Sequence, residues 1–255
     1  DTGPRRRKNR MEGFLDIPYR LPFTKYYQDF DRGFYVDFPK QLELMGRWLL
    51  EYDCSTTLDI GAMTGGCIEY ISRLGIRMDG VQFTEDVKRL AAARLRKAGI
   101  ASTLFVSPVY APLKVPAKTP YDGIVSLGWF NLPFTKAYLR RYLRTIHRLL
   151  GPGGVFLFDF FSFKHLKVDP PEEVRLAKNL RYASRNERLG STLRRHYVWS
   201  RGKQVLREYS DLVDRTPADA RGLLKEAGFS VERTRHLDFN YPREFWLARK
   251  AASVG

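Results

Sequence analysis

Thr57-Leu58-Asp59-Ile60-Gly61-Ala62-Met63-Thr64-Gly65-Gly66 passes from a β-branched, apolar run through an acidic residue into a glycine-spaced turn. A helix-like pattern follows at Cys67-Ile68-Glu69-Tyr70-Ile71-Ser72-Arg73-Leu74. Strand, tight loop and helix start in this order let a main chain approach a bound ligand closely. Glycine accepts the left-handed turn, and the first helical amides have no partner within the helix. The spacing is Asp-x-Gly-x-x-x-Gly, which is not the G-x-G-x-x-G of dinucleotide-binding turns. A purely structural β-α turn is the alternative reading of the same residues.

Downstream, the pattern repeats. Strands are expected at 56–61, 78–83, 102–107, 121–127 and 155–161, with helices at 65–74, 85–98 and about 134–150. Thr84 stands where a helix N-cap is expected, and Gly151-Pro152-Gly153-Gly154 stops the helix before the fifth strand. Repeated β-α units of this length imply a parallel sheet covered on both faces. Upstream, Pro39 fits a first helical turn, and Leu42, Met45, Leu49 and Tyr52 follow at helical spacing.

The rhythm breaks at residues 162–212, read as an insert. Residues 171–182 are expected to be helical, and 191–200 and 203–212 to form a hairpin around Ser200-Arg201-Gly202-Lys203. Regular structure resumes with a capped helix from Thr216-Pro217, ending at Gly228, and strands at 230–238 and 244–250. The expected organisation is therefore an aromatic and basic arm at 1–38, a core at 39–161 and 213–250, and the insert at 162–212. Rings such as Tyr26, Tyr27 and Tyr35 would be costly on a free tail, so the arm is expected to pack on the core.

The chain has 255 residues, 44% of them hydrophobic, enough to bury a full core. Two cysteines and four histidines, with no metal-ligand spacing, argue against a disulfide framework and a metal site. They fit a reducing, cytoplasmic location. No apolar run is long enough to span a membrane. The basic start Arg5-Arg6-Arg7-Lys8-Asn9-Arg10 has no apolar stretch behind it and is not read as a signal peptide. The net charge of +16 favours anionic partners, or simply a solvated basic surface.

Four pieces in order, Asp59–Gly65, Tyr121-Asp122-Gly123-Ile124-Val125-Ser126, Leu149-Leu150-Gly151-Pro152-Gly153-Gly154 and Leu223-Leu224-Lys225-Glu226-Ala227-Gly228-Phe229, resemble the motifs of class I S-adenosylmethionine (SAM)-dependent methyltransferases. The nearest look is to those acting on small molecules, including nucleotide-linked amino sugars. The resemblance implies a Rossmann-like, seven-stranded, mostly parallel α/β sheet with the last strand antiparallel, and an insert over the active site. It implies SAM as methyl donor and S-adenosylhomocysteine as product. Asp59 would support the loop and face the cationic amino end of SAM, and Gly61, Ala62 and Gly65 would pass close to it. Gln82 stands where the family usually has the acidic residue that grips the ribose. Glutamine hydrogen-bonds there without charge assistance. Met63 replaces the usual middle glycine. Phe83 would lie against adenine or in the core, Ser107 near adenine, Ser126 and Leu127 beside the transferred methyl, and Tyr27 over the cofactor.

Candidate catalytic groups are His165, after strand five, and Asp159, placed to orient an acceptor amine or hydroxyl or to cap the sheet edge. His147 is expected to face solvent, and His196 and His236 to lie on strands. Arg194, Arg195, Arg201, Lys203 and Arg207 on the hairpin are candidates for holding an anionic group. The first functional reading is methyl transfer to oxygen or nitrogen of a small acceptor. The second, from net charge, is an RNA-modifying methyltransferase, and the third, from Met63 and Gln82, a non-methylating protein on this fold. The resemblance implies no oligomeric state.

Overall fold

The computed structural model describes residues 38–108, 112–116, 120–161, 172–177, 179–238 and 242–251. The expectations for the arm, with Tyr27, and for His165 lie outside these residues.

Helix α1 (Phe38–Glu51) precedes β1 (Thr56–Ile60), α2 (Gly66–Arg73), β2 (Arg77–Gln82), α3 (Glu85–Lys97), β3 (Leu104–Val106) and β4 (Tyr121–Ser126). Then come α4 (Lys136–Leu149) and β5 (Leu150–Phe160). The insert supplies β6 (Glu172–Ala177), β7 (Leu180–Leu189), β8 (Thr192–Arg201) and β9 (Gln204–Val213). Helix α5 (Pro217–Glu226), β10 (Phe229–Asp238) and β11 (Pro242–Lys250) complete the elements of the described residues.

The main sheet has seven strands in the order β10-β11-β5-β4-β1-β2-β3. Strands β1 to β5 pair in parallel, and β11 runs antiparallel between β5 and β10. Alternation sorts the strand residues by face. Leu58, Ile60, Ile124, Phe156, Phe158 and Phe160 pack with Leu139, Leu143 and Ile146 of α4 and Leu223 and Leu224 of α5. Met78, Val125, Val155, Leu157 and Leu247 pack with Met45 and Leu49 of α1 and Ile68 and Ile71 of α2. A sheet buried on both faces explains why its strands read as nearly continuous apolar runs.

Local turn chemistry behaves as the residues dictate. The Thr84 hydroxyl accepts from the Val87 amide, capping α3. Thr216 and Asp219 form a capping box with Pro217 in the first turn of α5. Gly228 leaves that helix with φ +86°. At the amino edge of the sheet, Asp122 Oδ2 accepts from the amides and hydroxyls of Ser55 and Thr56 over 2.7–3.0 Å, joining β4 to β1.

The insert departs from expectation. Within the expected helix at 171–182, residues 172–177 and 180–182 are strand instead, and β6 and β7 join β8 and β9 in a four-stranded antiparallel sheet in the order β6-β7-β8-β9. Most of the expected helix is β6, which instead pairs antiparallel with β7, from Glu172 opposite Ser184 to Ala177 opposite Leu180. The hairpin at 191–212 forms as expected, in full register. Among the described residues, no helix is long and apolar enough to cross a membrane.

Candidate functional site

Strand order reverses between β1 and β4, because β1 leads to β2 and β3 on one side while β4 leads to β5 on the other. Open α/β sheets place ligands at such a switch, outside the carboxyl ends of the strands. The loop after β1 lies there. Gly61 (φ +88°) and Gly65 (φ +81°) both adopt the left-handed region, and so does Met63 (φ +47°). Met63 therefore takes a conformation that usually favours glycine, and its side chain is half-buried.

The amides of Gly61 and Ala62 both donate to the Val81 carbonyl, at 3.0 and 3.1 Å, which ties the loop to the end of β2. A Cβ at Gly61 would meet the Phe83 ring at 3.1 Å. At Gly65 it would meet Ala91 and Leu95 of α3 at 3.5 Å, so this glycine also serves close helix packing. The Ser107 amide donates to the Gln82 carbonyl at 2.9 Å. The carboxyl ends of β1, β2 and β3 thus hold Asp59, Gly61, Ala62, Gly65, Gln82, Phe83 and Ser107 together.

Two features of this half of the site bear on ligand binding. Asp59 is buried, and burial pushes its carboxyl up to about 7, against a hydrogen bond from the Cys67 thiol. Gln82 has no exposed surface, and neither its Oε1 nor its Nε2 has a hydrogen-bond partner among the described residues. A buried, unsatisfied amide is costly unless a ligand supplies the missing partners. A ribose diol, which offers both donors and acceptors, fits it. Ser107 is already partly engaged, since its hydroxyl accepts from the Lys114 amide at 3.2 Å.

The β4 side is organised differently. Ser126 Oγ lies 3.0 Å from the Tyr142 hydroxyl, so the side chain faces α4. Ser126, expected beside the transferred methyl, thus has its hydroxyl engaged with α4. Burial, first, raises the Tyr142 phenol far above its ordinary range. Leu127 packs half-buried against the α1–α2 side of the core. Trp129 stacks on Tyr142 with ring centroids 3.5 Å apart.

Asp159 is revised. It has no exposed surface, and its two oxygens face the Gly128 amide (2.5 Å) and Arg243 Nε (3.0 Å). The contact to Arg243 is an ion pair without the alignment of a hydrogen bond. The carboxylate holds the loop after β4 to β5 and β11 instead of projecting to an acceptor.

Sequence reasoning missed Asn131. Its Nδ2 donates to the carbonyls of Phe161 (2.8 Å) and Val213 (3.0 Å), and its Oδ1 accepts from the Phe161 amide (2.9 Å). The Val213 amide donates to the Asn131 carbonyl at 2.8 Å. One buried side chain thus joins the loop after β4, the end of β5 and the last strand of the insert. Arg215 adds bonds to the Phe130 and Phe134 carbonyls. Asn131 was visible in the sequence as the one amide within an apolar run, Leu127 to Phe134.

Alternation in the insert sorts its arginines. Arg194 pairs with Asp211 on the outer face and Arg207 and Lys203 are exposed, whereas Arg195 is buried and donates to Asn186. His196 pairs with Glu187, and His236 with Glu244, at exposed positions. His147, expected to face solvent, is half-buried. It packs edge-on to Phe229 beside Gly228, where burial, then Lys250, lowers its pKa. Among the described residues, no three His, Cys, Asp or Glu gather as metal ligands would.

Residues 57–154 match the family described as "Methyltransferase domain". The structure is similar to that of an S-adenosylmethionine-dependent methyltransferase from Clostridium acetobutylicum, at 16% identity and TM-score 0.77, covering 90% of this chain and 99% of the other. It is similar to a SAM-bound amino pentose methyltransferase from Micromonospora echinaspora, at 17% identity and TM-score 0.70, covering 91% and 98%. A sugar N-methyltransferase from Streptoalloteichus gives 22% identity and TM-score 0.72, covering 88% and 92%. No curated protein matches the sequence.

Proposed function

We propose that the chain is a class I SAM-dependent methyltransferase, a reading supported by the match of residues 57–154 to the methyltransferase-domain family, and that it methylates oxygen or nitrogen of a small, anionic metabolite. The observation that carries this reading is the pairing of the Asp59–Gly65 loop with the orphaned Gln82 amide at the switch point of the sheet. SAM supplies an activated methyl group on a sulfonium centre. In this reading Gln82 hydrogen-bonds the ribose, the Gly61–Gly65 loop and the start of α2 receive the methionine end, and Asp59 faces its ammonium. The insert and the arm enclose the acceptor, with Tyr27 over the cofactor and His165 as general base. The likeness to sugar methyltransferases supports a small acceptor, and the net charge of +16 supports an anionic one.

Gln82→Asp tests the ribose placement. An ionised acceptor makes stronger hydrogen bonds to hydroxyls than an amide does. Calorimetry at pH 8 should show SAM binding about tenfold tighter, or ~1.4 kcal/mol. The same variant should melt lower without cofactor, because its carboxylate is then buried without a partner. Unchanged affinity would mean that the ribose is held elsewhere. Net charge also favours RNA as an alternative acceptor. RNA binding that falls steeply with salt would support that reading.

A further inference from the structure

Arg243 is the first charged residue of β11, at the carboxyl edge of the parallel strands. Its side chain is only 12% exposed. Buried guanidinium groups need compensation, and here it comes from Asp159, whose oxygen lies 3.0 Å from Nε. The same carboxylate accepts from the Gly128 amide, two residues beyond β4. Nη2 lies 3.7 Å from where a Cβ at Gly128 would stand. Gly128 itself is exposed with φ +68°.

The guanidinium is thus gripped on its Nε side only. Among the described residues, neither Nη1 nor Nη2 has a hydrogen-bond partner. Those nitrogens carry the paired donors that match a carboxylate or phosphate. Three separate segments, the β4 loop, β5 and β11, converge to hold this fork beside an open glycine.

We propose that Arg243 is the anion-recognising residue of the acceptor site, holding a carboxylate or phosphate group of the methyl acceptor, with Asp159 as its positioning residue. This rests on the methyltransferase reading, in which β1 to β3 bind the cofactor and the acceptor enters over β4 and β5. Substrates without an anionic group would then leave Nη1 and Nη2 unpaired, which disfavours them.

The test uses the full chain saturated with S-adenosylhomocysteine, titrated with inorganic pyrophosphate and, separately, with benzoate. Saturable binding of at least one anion is expected, with a shift of the Arg243 side-chain N–H resonance. Arg243→Gln should weaken it at least tenfold, and Arg243→Lys, which keeps charge without the fork, by less. S-adenosylhomocysteine affinity should stay within threefold. Preference for pyrophosphate assigns a phosphorylated acceptor, and preference for benzoate a carboxylated one. The proposal is overturned if neither anion binds the wild type, or if both variants bind as it does. If Arg243→Gln fails to fold, the wild-type resonance and Arg243→Lys decide the matter. Failure of the wild type to bind S-adenosylhomocysteine would instead overturn the methyltransferase reading.

Discussion

Asp59→Asn should weaken SAM binding ten- to a hundredfold, about 1.5–3 kcal/mol for a lost charge-assisted bond, and yet stabilise the cofactor-free protein above neutral pH. The sign follows from burial. The carboxyl titrates at about 7 in the folded chain and near ~3.9 in an unfolded one. Between these values the folded form keeps a proton that the unfolded form has released. Stability therefore falls as pH rises from about 4 to about 7, then levels off. Asparagine removes that penalty, which is on the order of 4 kcal/mol at most. The variant should match the wild type in thermal melts near pH 4 and exceed it at pH 8. Wild-type SAM affinity should rise with pH through the same range, because only the carboxylate attracts the ammonium. SAM affinity that is flat with pH, in a wild type melting like the variant at pH 8, would contradict this role.

Asn131→Leu should cost about 3–5 kcal/mol, since it removes three hydrogen bonds to buried and part-buried main-chain groups. The groups affected are the Phe161 amide and carbonyl and the Val213 carbonyl. Because these join the insert to the loop after β4, the loss should be felt first in the insert. Limited proteolysis should cut between residues 161 and 213 while S-adenosylhomocysteine still binds within about tenfold of wild type, or ~1.4 kcal/mol. Methyl transfer should fall much further than cofactor binding. Denaturation and proteolysis curves that overlay those of the wild type would show that the insert is anchored elsewhere.

What the sequence disclosed is what short-range chemistry determines. Thr84, Thr216 with Pro217, and Gly228 mark helix ends through bonds to residues three or four positions away. The Asp59–Gly65 turn announces its left-handed glycines by spacing alone. The β-α alternation then leaves few topologies open. What stayed hidden depends on partners distant in the chain. Asp159 reads as a free acid at a strand end until Arg243 is brought beside it by the last strand. Ser126 reads as a site hydroxyl until Tyr142 turns toward it from α4. The expected helix at 171–182 failed because β6, which makes up most of it, pairs with β7 at positions up to twelve residues further on. Arg194 and Arg195 were indistinguishable until register put one outward against Asp211 and the other inward against Asn186.

The methyltransferase reading also depends on two departures from the family pattern, Met63 and Gln82. Met63 already occupies the left-handed region, so the loop keeps its shape without a third glycine. Gln82 is buried without partners, as a residue awaiting a ligand would be. Calorimetric titration of the wild-type chain with SAM measures directly whether that ligand exists. Saturable binding with a dissociation constant between low micromolar and sub-millimolar, roughly −5 to −8 kcal/mol, is the expected result. No detectable heat over that range, from a protein that melts cooperatively, would contradict it and leave a non-methylating protein on this fold.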